Sequence, residues 1–160
     1  MGFALSLTLL STRQGWLYLA AVLDLGSRKI VGWSLSDRMT ADLVCHALKA
    51  AYWQCKPPVG VIMHTDRGSQ YASQPHRQLL EAYGVIASMS RRANAWDNAA
   101  MEGFFKTLKV ERIYHVRYAT RAQARLDIVD WIEGFYNRQR LHSAIGYQTP
   151  AQRETALKVA

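Results

Sequence analysis

A chain of 160 residues with 49% apolar content is long enough to bury a core of its own, which excludes a disordered segment. Lys and Arg number 20 against 12 Asp and Glu, and the formal charge of +8 favours a polyanionic partner, nucleic acid first. Cys45 and Cys55 are too few for a disulfide framework and no run reaches the ~20 apolar residues of a bilayer span, so a reducing cytoplasm and no membrane partner are expected.

The opening MGFALSLTLLS is uncharged and lacks the basic start of a signal peptide. Met1, Gly2 and Ser6 also meet the loose myristoylation pattern, a short one that arises by accident. The alternation of Leu5, Leu7 and Leu9 with Ser6, Thr8 and Leu10 predicts a strand over 4–10 instead. Residues 16–25 and 29–36 are rich in β-formers and read as a hairpin through GSRK. Thr40 is placed to cap a helix over 41–54, which Pro57 and Pro58 end. The apolar run 59–63 predicts a strand buried on both faces. Ser73 and Pro75 open a helix with Leu79, Leu80 and Tyr83 inward, and Gly84 closes it. Residues 85–87 form a fifth strand. Asp97 starts a helix with Met101, Phe104, Phe105 and Leu108 on one face. Thr120 and Gln123 make a capping-box pattern before a last long helix, whose buried stripe is Ala124, Ile128, Trp131 and Phe135. The segment 137–150 is basic, then turn-like, and Trp16, Trp33 and Trp131 are assigned to the core. This order predicts an α/β fold, a mixed five-stranded sheet flanked by helices, in one domain over 1–160 with a basic helical and turn tail from about 120.

Two acids have a setting that suits chemistry. Asp66 follows the fourth strand, at the carboxyl edge where α/β sheets place their sites. Glu102 lies one turn into the helix from Asp97, away from its apolar stripe, and 35 residues (67–101) lie between the two. Opposed carboxylates suit hard divalent cations, which take oxygen ligands and assist phosphoryl transfer. The plainer reading makes Asp66 a turn residue and pairs Glu102 with Lys106 at i+4. On spacing alone the plainer reading stands ahead.

Four blocks change that balance: GWLYLAAVLDLGSRKIVGWS, HTDRGSQYAS, SMSRRANAWDNAAMEGFFKTLK and YNRQRLHSAIGYQTPAQ. From about Thr12 to Glu154 the chain resembles the integrase catalytic core of bacterial insertion-element transposases, the orfB type of the DDE superfamily, similar to retroviral integrases. The resemblance implies an RNase H-like fold and an Asp, Asp, Glu site holding two Mg²⁺ or Mn²⁺ ions. It implies DNA, as element ends and target, for a substrate, a homo-oligomeric assembly and a bacterial, nucleoid-associated location. Asp66 and Glu102 match the last two acids.

The first acid is missing. The family carries it in a D-I-T-Y block ten residues before the Trp of GW; here that Trp is Trp16 and the position is Ser6. Residues 1–11 depart from the family throughout. A shifted or degraded reading frame, an inactive relic, and partial substitution by Asp24 on the adjacent strand all stay open. Asp24 also matches a family position near the hairpin turn, where its role is structural. The family's upstream helix-turn-helix segments are not in this chain, which reads as a core fragment. Ala93 and Ala95 replace a usual Gly and a common Cys.

Lys106 and Lys109 share the face of Glu102, and the resemblance implies that they contact DNA phosphates there. Arg91 and Arg92 suit a loop near the same DNA. His64 is read as structural, since imidazole suits Mg²⁺ poorly. Asn98 is read as a helix cap, and Gln70 and Tyr71 as shaping the loop after Asp66. Arg140 and His142 match family positions without an evident physical role. The function expected is DNA transposition by metal-dependent phosphodiester cleavage and strand transfer, impaired because Ser6 replaces the first catalytic Asp. The alternative is a non-catalytic remnant that binds DNA or oligomerises.

Overall fold

A computed structural model describes residues 2–89 and 95–159. Five strands, β1 (Gly2–Thr12), β2 (Gly15–Asp24), β3 (Ile30–Ser36), β4 (Ile62–Thr65) and β5 (Ile86–Met89), form one sheet in the order β3-β2-β1-β4-β5. The first three make an antiparallel meander, and β4 and β5 run parallel to β1. The atypical first residues therefore pair in the middle of the sheet. Helices α1 (Ala41–Cys55) and α2 (Gln74–Tyr83) cover one face. Helices α3 (Ala95–Glu111) and α4 (Arg121–Asp130) cover the other.

The period of two in the strands sorts the core. Phe3, Leu5, Ala20 and Val22 pack towards α1, while Ala4, Leu10, Leu17, Leu19 and Ala21 pack towards α3 and α4. A central strand covered on both sides needs apolar residues at both parities, which is why β2 is fully buried from Leu19 to Leu23. Gly32 lets α1 sit directly on β3. A Cβ there would lie 2.4 Å from the Ala47 carbonyl oxygen and 2.7 Å from the Ala51 nitrogen.

Several expectations need correction. Thr40 holds the N-cap position of α1 but its side chain makes no capping hydrogen bond. β4 starts at Ile62, because residues 58–61 turn through Gly60 (φ 95°). It is not buried on both faces: Ile62 and its β5 partner Ile86 both stay exposed. Trp16 is 53% exposed, since at the hairpin end its side of β2 is no longer covered, whereas Trp131 is buried. Trp33 is half-buried and its Nε1 donates to Glu133 at 2.8 Å. The last long helix changes to a π-helix over Trp131–Tyr136. The wider turn moves Tyr136 into the place expected for Phe135, which stays on the surface.

The tail also carries more structure than its turn-like composition predicts. Helix α5 (Pro150–Lys158) opens on a capping box between Thr149 and Gln152. Buried Asn137 anchors the approach to it: its Oδ1 accepts from the Ile30 amide at 2.9 Å and its Nδ2 donates to the Ile30 carbonyl at 3.0 Å. Arg140 donates from Nε to both Glu111 oxygens, at 3.1 and 2.9 Å, and the His142 ring lies edge-on to Tyr136. These two family-matched residues thus fasten the tail to α3 and the π-turn.

Arg112 holds Asp127 through two Nε contacts, and the Tyr118 hydroxyl donates to the same carboxylate. Burial works to raise the Asp127 pKa, but the hydrogen bonds from Arg112 and Tyr118 outweigh it and hold the carboxyl below its usual value. A depressed folded-state pKa contributes stability above the ordinary carboxylate range, lost as pH falls through the folded value. Urea unfolding is therefore expected to show an acid-side loss of stability that Asp127→Asn reduces. An unchanged pH profile in the variant would remove this network from the cause.

Candidate active site

The parallel pairing of β1 with β4 sets Gly2 beside Ile62, Phe3 beside Met63 and Ala4 beside His64. Continued by two residues, this register brings Ser6 level with Asp66, just beyond the end of β4 at Thr65. Asp66 is exposed at the carboxyl edge of the sheet, and partial burial raises its pKa above the ordinary value. The loop after it folds back, with the Tyr71 amide donating to the Gly68 carbonyl at 3.1 Å. Ser73 then caps α2: its hydroxyl accepts from the His76 amide at 3.4 Å and donates to the Gln70 carbonyl at 2.8 Å.

Tyr71 ties the two strands together. It is buried, it lies close enough to Asp66 to feel its charge, and its phenol lies near the Ser6 hydroxyl. Burial first, and then Asp66, push the phenol well above its ordinary pKa, so it stays neutral. Sequence reasoning gave Tyr71 a loop-shaping role and missed its contact with Ser6, because nothing local signals a contact over that separation.

Glu102 is exposed on α3 and lines a cleft with Thr8, Lys106 and Lys109. Thr8 follows Ser6 by two residues on β1, so alternation puts it on the same side of the sheet. Sequence reasoning missed Thr8, although that alternation is its signal. Ser6, Asp66 and Glu102 thus share one end of the sheet, on β1, after β4 and on α3.

The other candidates fall elsewhere. Asp24 pairs with Phe3, three positions along β1 from Ser6, about 10 Å at ~3.3 Å per residue. Its Oδ1 accepts from the Gly26 amide at 3.1 Å and its Oδ2 from the Ser27 hydroxyl at 2.9 Å. The carboxylate belongs to the β2–β3 turn and does not reach Ser6. Arg91, Arg92 and Ala93 lie outside the described residues, as do the side chains of Ala95, Asp97 and Asn98.

The donors at this site are two carboxylates and one neutral hydroxyl near Tyr71. Among the described residues no group of three His, Cys, Asp or Glu side chains is placed to hold a metal. A pair of hard divalent cations wants more anionic oxygen than this, so the residues present do not fit the two-ion centre that the resemblance implies. No helix among the described residues is long and apolar enough to cross a membrane.

Comparison with known proteins identifies the family and the fold. Family models described as integrase core domain match residues 7–95 and 83–150. Transposase InsF for insertion sequence IS3A from Escherichia coli K12 is 47% identical over 148 residues, covering 92% of this chain and 51% of the relative. The transposase for insertion sequence element IS904 from Lactococcus lactis is 46% identical over 144 residues, covering 90% and 57%. The chain spans little more than half the length of these relatives. Among solved structures, the HTLV-2 integrase catalytic core domain in complex with magnesium superposes with a TM-score of 0.68 at 15% identity, covering 94% of this chain and 93% of that one. A chain of a simian T-cell lymphotropic virus intasome gives 0.73 at 17% identity, covering 94% and 52%. At these identities the likeness shows the fold, which is RNase H-like. With more than half its residues matched by the family model and its sheet built as in integrase cores, the chain belongs to the integrase core domain family, alongside the insertion-sequence transposases.

Proposed function

We propose that the chain is the DNA-acting core of a bacterial insertion-element transposase whose phosphoryl-transfer centre is incomplete at Ser6. The observation that supports this reading is the β1–β4 register, which pairs Ala4 with His64 and, continued by two residues, leads a neutral hydroxyl towards Asp66. In intact relatives of this type, two divalent ions would supply the charge for attack on a phosphodiester by water and then by a DNA 3′-hydroxyl. The donors of this chain do not fit that pair of ions. The chain keeps Asp66 and Glu102 as oxygen donors, and Lys106 and Lys109 as point charges beside Glu102. Point charges neutralise and position a phosphate backbone without reading its sequence. Element ends and target DNA are the substrates, a homo-oligomer is the assembly and the bacterial nucleoid is the location.

The second reading is a DNA-binding or oligomerising remnant without chemistry. The nearness of buried Tyr71 to Ser6 favours it, since a neutral phenol and hydroxyl stand there in place of a third carboxylate. One experiment separates the two: duplex binding by fluorescence anisotropy across a salt series in chelator, followed by strand transfer with Mn²⁺. Salt-sensitive binding without metal is expected, and Lys106→Ala with Lys109→Ala should reduce the slope of log K against log salt by about 2. Strand transfer abolished by Asp66→Asn would establish a live site and overturn the impairment. Binding indifferent to Asp66→Ala and Glu102→Ala, with no product, supports the remnant. Absence of DNA binding would sink the first reading and the DNA-binding form of the second.

A further inference from the structure

The cleft at Glu102 does not end with α3. Lys109 and Tyr114 also line a second cleft, which runs between the β1–β2 hairpin and the segment 113–118 and is bordered by Arg13 and Arg117. The two form one groove leading away from Glu102.

Four cations elsewhere on the chain are neutralised by acids. Lys29, Arg112, Arg140 and Lys158 are each in an ion pair with Glu154, Asp127, Glu111 and Glu154. Arg13, Lys106, Lys109 and Arg117 have no such partner among the described residues, and Glu102 is the one acid lining either cleft. Cations left unneutralised along one groove are complementary to a phosphate chain. The groove is also apolar where it is exposed: Tyr114 is 72% accessible, with Leu9 and Val110 about half so. A duplex presents phosphates and sugars to such a surface and gains nothing from an exposed phenol ring. Unpaired bases gain by stacking on it, and cations beside an aromatic platform are the pattern of single-strand binding. The walls are preformed, because the Arg13 amide donates to the Tyr118 carbonyl at 3.0 Å and the Tyr118 hydroxyl is held by Asp127.

We infer that this groove is a track for unpaired DNA next to the site, in which Arg13, Lys109 and Arg117 hold phosphates and Tyr114 stacks a base. The inference rests on the DNA-acting reading above and extends it to residues outside the acid constellation. A single strand emerging at Glu102 would be drawn along the groove, away from the duplex portion held at Lys106.

The test is anisotropy in chelator with a labelled oligothymidine and a duplex of equal length. Tyr114→Ala should weaken oligothymidine binding about 5- to 150-fold, the range for one stacked base, and leave the duplex unchanged. Tyr114→Phe should bind as the parent does, since it keeps the ring. Arg13→Ala and Arg117→Ala should each reduce the single-strand salt slope by about 0.7. All three sites are on the surface, so folding is not at issue. If Lys106→Ala weakens duplex binding while the Tyr114, Arg13 and Arg117 variants bind oligothymidine like the parent, the track is overturned and the DNA-acting reading survives. If the parent binds neither oligonucleotide, both are overturned.

Discussion

Ser6→Asp is expected to tighten Mn²⁺ binding by at least about ten-fold, ~1.4 kcal/mol, in a calorimetric titration beside the parent chain. The substitution places a carboxylate level with Asp66 and on the same side of the sheet as Thr8, which lines the cleft of Glu102. Mn²⁺ is the probe because it accepts imperfect oxygen sites. Without metal the new acid and Asp66 repel, so the variant should be less stable than the parent in chelator. With Mn²⁺ at about 100 times its Kd the variant should gain about 2.7 kcal/mol, while the parent gains little. Asp66→Ala in the variant background should cancel the gain. Equal affinity of variant and parent would remove Ser6 from the ligand position, and failure of both to bind would mean that Asp66 and Glu102 do not face one ion.

Asn137→Ala should cost about 2–5 kcal/mol in urea unfolding, the largest loss expected from any single surface-distant residue of the tail. Its amide satisfies both the N–H and the C=O of Ile30, at the start of β3. Removing it leaves two buried backbone groups without partners, at about 1–3 kcal/mol each. The same residue's carbonyl accepts from the Ala151 amide at 2.8 Å, so α5 and the Lys29–Glu154 ion pair loosen with it. Asn137→Asp tests the donor alone: it keeps an acceptor for the Ile30 amide but turns a carboxylate towards the Ile30 carbonyl, and should be no more stable than the alanine variant. Parental midpoints in both variants would show that the tail docks by other contacts.

The acid pair illustrates what local pattern can and cannot reach. Asp66 was legible because a short apolar run followed by Asp, Gly and small polar residues marks the open end of a strand. Glu102 was legible from its place beside, rather than on, the Met101–Phe104–Leu108 stripe. Their shared location was not readable from spacing alone; it came from the family resemblance, and β1 bridges them physically, pairing with β4 ahead of Asp66 and lending Thr8 to the cleft of Glu102. Asp24 shows the converse: its position on the strand next to β1 made it a candidate, and the side-chain hydrogen bonds of the turn removed it.

The sequence by itself determined the order of elements, the two-sided core and the basic character, because hydrophobic period and turn chemistry act over neighbouring residues. It also determined that position 6 is a serine, since a residue's identity needs no geometry. Only the tertiary structure decided that β1 pairs with β4 in the register that sets Ala4 beside His64, that Asn137 closes the edge at Ile30, and that Arg13, Lys109 and Arg117 border one groove. It likewise decided which cations are free, as Arg140 and Arg112 read like any others until Glu111 and Asp127 are found against them. Those facts depend on strand register and on helices returning across the sheet. Each contact joins residues far apart in the chain, and no local pattern encodes which distant partner a side chain will meet.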